Sequence, residues 1–498
     1  MDPFPSIPAR PSWIILDRFI HRTDRDVEDE ADGTASEISY TCTDRPIRAS
    51  IRVADSPAVS RLYLDWPSRP EFGGRLREPR VIAAHNHSIL FRAIVPLEDP
   101  MFCKDTASFP VDMFVYSAFS SPPSLHRLRT CFTGGVSTPD EDIYFKPYQR
   151  CQQRIMAEKH IGLLCHGSKG GFTVVDFTNF GLEGELCLLH HPALPASASH
   201  KNTEEEEADW MIKKVRLPPG PRVRRWITDA IIPLHGRYLC WVDNYQGILV
   251  VDVLRASDKN TTDELLHYIP LPHEALQSDR SHPDGDCPDK ARCVCVTADF
   301  TLKLVCVTTG KANRARSPFT IRSWTFPWKF PHVFPSGRWY RGHTMEAAEF
   351  WGLYNGQSLP QVKPMYPLVS LVNPDEFCFL LKEDHTTYWI IEVDMGNKML
   401  KSSAIYINEE EEGCTTDRPR ARRIVFDGHS FIPSGLSDYL GMDAIKRPPG
   451  AAGTCCRATC TGAAAPCHAG ASTRGARRAL TWAALWPRQP AWRGRANT

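Results

Sequence analysis

Cysteines, histidines and a set of recurring aspartates are the residues of this chain best suited to chemistry. There are 17 cysteines and 18 histidines among 498 residues, enough to look for metal-ligand spacing. Cys287, Cys293, Cys295 and Cys306 lie close in sequence, but no pair forms the C-x-x-C knuckle common in zinc sites. Cys293 and Cys295 alternate within an apolar run, so both point to one face of a strand. We read this group as small buried hydrophobes. Cys455, Cys456, Cys460, Cys467 and His468 have the count of a zinc cluster but lie in a stretch without strand or helix period. His85 and His87 flank Asn86 between two apolar runs. Alternate histidines can present two imidazoles to a metal, but a hairpin turn explains them without one, and we read them as turn or surface residues. Asp176, Asp252 and Asp394 each close an apolar run. A carboxylate set could do acid–base work, yet Asp at a strand end more often bonds its own turn backbone. No catalytic, cofactor-binding or metal-ligating residue is assigned.

Nucleophile and phosphate motifs give no further handle. The sequence contains no G-x-S-x-G elbow, no G-x-x-x-x-G-K-[ST] and no H-E-x-x-H, the spacings that acyl transfer, nucleotide binding and zinc proteolysis use. Gly170 and Gly171 fit a hairpin turn, where a positive φ favours glycine. Arg222, Arg224 and Arg225, and the run from Arg418 to Arg423, are read as solvated patches, since aromatics do not interleave with them as base stacking requires. Trp324, Trp328, Trp339 and Trp351 surround a proline-rich segment. They could form an aromatic recognition surface; core packing is the plainer account of such large side chains.

The elements that would position these residues form a repeat. From Trp226 to Pro270 the chain reads WITDAII, RYLCWVD, GILVVDVL and LLHYIPLP, separated by polar turns. Four strands in about 45 residues is the size of one β-propeller blade. Related units read IGLLCHG, GFTVVDF, ELCLLHH and DWMIKKVRL; RCVCVTA, TLKLVCVTT and FTIRSWTF; and PLVSLV, EFCFLLKE, YWIIEVDM and LKSSAIYI. Their strands are near-continuously apolar, which implies burial on both faces. In an antiparallel protein that requires a neighbouring sheet on each side, as radially packed blades provide. Matching strands start at Ile161, Tyr238, Cys293 and Phe377, so the repeat is irregular. Strand-like segments before residue 120 add one or two blades, for five to seven in all at about 45 residues each. Helices are few; Cys151 to His160 and Glu346 to Leu353 are the candidates. Within the reference unit, Cys240, Trp241, Asp243 and Asp252 read as packing and turn groups.

Composition bounds the function class. Apolar residues make up 42% and charged residues 23%, as in a soluble globular protein. No run approaches the roughly 20 apolar residues of a membrane-spanning helix. With no secretory signal in view, the expectation is a cytoplasmic or nuclear protein, not a secreted one, with reduced cysteines. Asn86-His87-Ser88 and Asn260-Thr261-Thr262 are then chance matches to the glycosylation pattern. The net charge of +1 is unevenly spread: eight arginines from Arg447 onward leave 51 basic against 58 acidic residues in the rest. A mildly acidic body argues against nucleic acid as a partner. Acidic runs at Asp24 to Asp32, Glu204 to Glu207 and Glu409 to Glu412 read as solvated loops. The tail from residue 446, rich in Ala, Gly, Arg and Cys, is expected to be disordered, as are residues 1–10.

Several stretches together resemble the plant family catalogued as domain of unknown function 1618, expanded in grasses. They are PSWIILDRFI, IRVADSPAVSRLYLDWP, RVIAAHNHSILFRAIVP, IGLLCHGSKGGFTVVDF, ITDAIIPLHGRYLCWVDNYQGILVVDVL, MYPLVSLVNPDEFCFLL and WIIEVDMGNKML. The resemblance implies a plant source and a soluble protein whose fold is similar to the propeller-like domains that follow F-boxes. It carries over no catalytic residue. The first fifty residues show no F-box, so an adaptor role in ubiquitin ligation has no support. The expectation is an all-β, propeller-like array of four-stranded antiparallel sheets over residues 11–445. The expected function is a scaffold that binds a protein partner through its loops, without cofactor, metal, nucleic acid or membrane. An enzyme with a site at the mouth of the central channel is the alternative.

Overall fold

The computed structural model describes residues 11–22, 33–67, 79–96, 109–132, 153–154, 156–166, 170–181, 183–192, 209–218, 226–258, 266–276, 288–309, 318–328, 337–354, 356–383, 387–408 and 428–440. All belong to one unit, Met1–Arg447. The N-terminal ten residues, the tail from residue 446, the acidic runs, both arginine patches, Cys287 and the Cys455–His468 group lie outside the described residues.

Six sheets follow one another along the chain. The first holds β1 (Ile14–Arg22), β2 (Ser39–Tyr40), β3 (Pro46–Arg52) and β4 (Val59–Asp65). The second holds β5 (Arg80–His85), β6 (Ser88–Ile94), β7 (Val111–Ser117) and β8 (Ser124–Arg127). The third holds β9 (Ile161–His166), β10 (Gly171–Asn179), β11 (Glu183–His191) and β12 (Met211–Arg216). The fourth, the reference unit of the sequence, holds β13 (Ala230–Leu234), β14 (Tyr238–Asp243), β15 (Gly247–Asp252) and β16 (Leu266–Pro270). The fifth holds β17 (Arg292–Val296), β18 (Leu302–Thr309), β19 (Phe319–Phe326) and β20 (Tyr340–Glu346). The sixth holds β21 (Met365–Val369), β22 (Glu376–Lys382), β23 (Thr387–Asp394) and β24 (Met399–Asn408). From the second sheet to the sixth, each is an antiparallel meander in chain order.

The first sheet is built differently. A last strand, β25 (Ile432–Ser434), pairs antiparallel with β1, and β1 pairs parallel with β4. Both ends of the described chain therefore share one sheet, and this sheet departs from the all-antiparallel expectation. β1 also meets β5 at the single pair Phe19↔Arg80, which joins the first sheet to the second.

Burial explains the continuous apolar strands. Every residue of β14 and β15 is buried, whereas β3, in the first sheet, alternates between buried and open positions. The buried residues fall into six apolar clusters, one for each sheet-to-sheet contact. Leu16 and Leu62 meet Phe91 and Phe114. Leu90 and Val115 meet Leu163 and Phe172. Val175 and Phe177 meet Leu239 and Trp241. Cys240 and Val250 meet Leu304 and Trp324. Val305 and Phe319 meet Phe377 and Phe379. Leu380 and Ile390 of the sixth sheet meet Trp13 and Ile15 of the first. That last contact closes a ring of six blades, inside the five-to-seven range, and closure covers the apolar sheet faces that the first and last blades would otherwise present, leaving only short edges. Inner strands come close: a Cβ on Gly162 of β9 would sit 2.8 Å from the Ile231 side chain of β13.

Among the described residues there are three short α-helices, α1 (Val253–Ala256), α2 (His273–Leu276) and α3 (Ala347–Gly352). α3 matches the expected Glu346 to Leu353. The helix expected from Cys151 to His160 is corrected: its described part is not helical, with Gln153 bridged to Phe132, its side chain bonded to the Val111 backbone, and a turn closed by the His160 amide on the Ala157 carbonyl. Arg154 turns inward to acidic groups, so this segment bridges two blades instead of coiling. The four sequence units are real blades, but the irregular spacing came from matching unlike strands. Ile161 and Cys293 lie in first strands, Tyr238 and Phe377 in second ones.

Candidate functional site

The innermost strand of each blade faces a central channel of about 880 Å³, lined from β5, β9, β13, β17, β21 and the β25 segment. These strands run in the same direction around the ring. The residues at their starts therefore gather at one mouth, and those at their ends gather at the other.

The mouth at the strand starts is charged. Arg80 opens β5, Glu158 and Lys159 precede β9, Asp229 precedes β13, Asp289 precedes β17 and Arg292 opens it. Their contacts form a chain. Lys159 Nζ lies 3.3 Å from Asp289 Oδ2, and Asn244 Nδ2 donates to Asp289 Oδ1 at 3.2 Å. The Asn244 amide donates to Asp229 Oδ2 at 2.8 Å. Arg292 donates to the carbonyls of Asn244 (2.9 Å) and Ala275 (2.8 Å). Glu158 pairs with Arg80 at 3.8 Å and with Arg92. Burial pushes the Asp229 carboxyl up to about 7; the Asn244 N–H opposes this and the Asp289 charge adds to it. A carboxyl that titrates near neutrality is suited to proton transfer.

Beside this mouth, Asp17 of β1 ties the chain ends together. It is fully buried and accepts from His429 Nε2 (3.0 Å), Tyr406 OH (3.0 Å) and the Phe19 amide (3.1 Å), with Arg61 Nε at 3.7 Å. Burial alone would raise its carboxyl; the His429 bond and the charges of His429 and Arg61 overcome that, and it lies below the usual range. Arg18 donates to the Ser430 and Ile82 carbonyls at 2.8 and 2.9 Å, so it too fastens the segment leading into β25.

The mouth at the strand ends carries imidazoles and aromatic rings. Asn86 makes the expected turn with φ 45. His87, however, is buried and His85 is half-buried on the channel wall, because each has a backbone or hydroxyl partner inside. His85 Nδ1 accepts from the Cys165 amide at 2.8 Å, and burial pushes its pKa down to about 3. His87 Nδ1 bonds the Ser88 and Ser117 hydroxyls at 2.7 and 3.1 Å, and burial lowers it to about 4. His166 and His190 stack at 4.7 Å and share the Thr173 hydroxyl. His235 stacks on Phe300 at 3.7 Å. Around them Phe119, Phe300, Val372 and Tyr439 are 40, 41, 53 and 42% exposed.

The other singled-out residues are structural. Asp252 caps α1 by accepting from the Arg255 amide and pairs with Arg237, and Asp394 accepts from the Asn397 amide. Both serve their own turns, as expected. Asp176 does not: β10 continues past it to Asn179, so it sits mid-strand, bonded to Arg154 and Thr178, and burial raises it to about 6. Cys295 and Cys306 are buried in blade interfaces and Cys293 packs against one. Trp324 is core, and Trp328, Trp339 and Trp351 pack partly buried against the clusters. Among the described residues, no three His, Cys, Asp or Glu converge to hold a metal. The charged mouth was not foreseen; its signal is a charged residue at or shortly before the start of β5, β9, β13 and β17, legible only once those strands are known.

Residues 241–378 match the model of a family described as protein of unknown function DUF1618. The chain carries a DUF1618 domain. The DUF1618 match runs from β14 into β22 and takes in Asn244, Asp289 and Arg292 of the charged mouth and Phe300 and Val372 of the aromatic one. No curated protein matches the chain. Among solved structures, a candidate 6-phosphogluconolactonase of Bacteroides fragilis is similar at 11% identity, over 76% of this chain and 83% of that one, with a TM-score of 0.30. The polysaccharide lyase Uly1 is similar at 10% identity, over 79% and 88%, with a TM-score of 0.31. At these scores neither likeness bears on the site.

Proposed function

We propose that this DUF1618 protein is a scaffold that binds a protein partner at the aromatic mouth of its channel. One observation carries the reading: Phe300 and Val372 line the channel at this mouth while standing exposed, and the exposed Phe119 and Tyr439 pack on His87, next to the channel-lining His85 and Asn86. Aromatic side chains beside a cavity are the usual anchors of a protein interface, and their exposure costs solubility unless something covers them. Imidazoles held neutral by burial offer hydrogen bonds without a charge to desolvate. The partner that fits seats an apolar or aromatic side chain in the mouth. A cytoplasmic or nuclear setting belongs to the same proposal and suits the many buried free thiols. The test is affinity capture from cells expressing the protein, followed by direct binding of the recovered partner. Phe300→Ala with Tyr439→Ala is expected to weaken binding at least about tenfold, while Lys159→Ala at the other mouth leaves it unchanged. Equal binding by all three proteins would overturn the proposal.

A second reading is favoured by Asp229. A carboxyl near 7 in a channel mouth beside Lys159 and Arg292 has the character of a general acid–base group. An activity that is lost in Asp229→Asn while the fold persists would select this reading over the first.

A further inference from the structure

Away from both mouths, two thiols meet between neighbouring blades. Cys131 follows β8 in the second blade, and Cys187 lies on β11 of the third; their sulfurs are 3.5 Å apart. Cys187 is fully buried and Cys131 is 6% exposed. We infer that Cys131 and Cys187 form a peroxide-sensitive thiol pair that closes to a disulfide and locks the second blade to the third.

Geometry supports the closure. A disulfide needs its sulfurs at about 2.05 Å, so a shift of about 1.5 Å from the present contact makes the bond. Both residues are held on ordered structure. The Arg154 amide donates to the Cys131 carbonyl at 2.8 Å, and Cys187 is paired with both Asp176 and Ile212 in the sheet. The surroundings favour thiolate at one sulfur only. The hydrogen bond from Cys187 lowers the Cys131 thiol, burial opposes that, and the Arg154 cation adds to the lowering. The same bond, with burial, pushes Cys187 up. Cys131, the slightly exposed member, is the attacking sulfur, and Cys187 is the resolving one.

The oxidant is hydrogen peroxide, small enough for a site this enclosed. The Cys131 thiolate attacks one peroxide oxygen; the O–O bond breaks, and hydroxide leaves and takes a proton to become water. The sulfenic acid formed on Cys131 is attacked by the Cys187 sulfur, which gives up its proton as a second water leaves. Two thiols and one peroxide become one disulfide and two waters. The two electrons lost by sulfur are gained by oxygen.

The test uses the full chain, fully reduced and then treated with graded hydrogen peroxide. Remaining thiols are alkylated, and unreduced digests are mapped by mass spectrometry. The expected product is a peptide pair joining Cys131 to Cys187, with a mass about 2 Da below the sum of the reduced peptides, reversed by dithiothreitol. Thermal unfolding of the oxidised protein is expected to move up by a few degrees. Cys131→Ser should abolish both the crosslink and the shift, whereas Cys293→Ser keeps them. Oxidation of Cys131 to sulfinic acid without the crosslink, or a native protein in which other cysteines pair first, would overturn the inference. The wild-type map decides the matter even if a variant folds poorly.

Discussion

The two mouths of the channel are made by the same six strands, yet they differ in kind. At the strand starts, charges meet in mutual pairs, from the half-exposed Lys159 with Asp289 and the partly buried Arg80 and Arg92 with Glu158 to the buried Asp17 with His429. At the strand ends, imidazoles are kept neutral by burial and aromatic rings are left open. A network of paired charges resists rearrangement, since each group removed leaves another buried without its partner. An open aromatic rim has little to lose within the fold and much to gain from a partner. The first mouth thus reads as the place where the ring is fastened, and the second as the place where it is offered.

The largest expected effect breaks the fastening. Asp17→Ala strands His429 and Arg61 beside an emptied site, and we expect a loss of about 3–5 kcal/mol in urea unfolding. A loss below about 1 kcal/mol would mean that the paired network does not hold the ring. A smaller effect separates the mouths by pH. His85 and His87 stay neutral in the folded protein down to about 3 and about 4, while an unfolded histidine takes up its proton near 6.5. Their contribution is therefore complete above pH of about 6.5 and is lost as pH falls toward 4, up to roughly 3 kcal/mol for His87. Asp229 has the opposite sign. Raised to about 7, it favours the folded state while protonated, and that contribution fades as pH rises from about 4 through 7. Unfolding measured across this range should show a shallower acid loss in His87→Asn; an unchanged slope would refute the neutral imidazole. The smallest effect is Phe300→Ala, expected to alter stability by no more than about 0.5 kcal/mol while binding suffers. A large loss of stability would move Phe300 from the binding surface into the core.

Particular residues show where the sequence was readable. The apolar runs of β14 and β15 announced strands buried on both faces, and the structure buries every residue of both. Asp252 and Asp394 were readable as turn groups because their partners lie within three residues. Asp17 was not readable, because its partner His429 is 412 residues away. For His87 the turn was readable and the burial of its ring was not, because a turn signal says where the chain reverses and nothing about which side the ring takes. The segment from Cys151 to His160 was misread as helix because its backbone and the Gln153 side chain are spoken for by the neighbouring blade, which local propensity does not register.

By itself, the sequence determined that the chain makes many short strands, that polar turns join them in fours, and that they require sheets on both sides. It also carried the family. These follow from local periodicity and turn chemistry, which act over a few residues. Only the tertiary structure decided that the blades number six and that β25 returns to β1. It alone decided that charged strand starts and imidazole-bearing strand ends gather at opposite mouths. An apolar strand face packs about equally well against many neighbours, so the choice among them rests on contacts between distant segments, which closing the ring brings together.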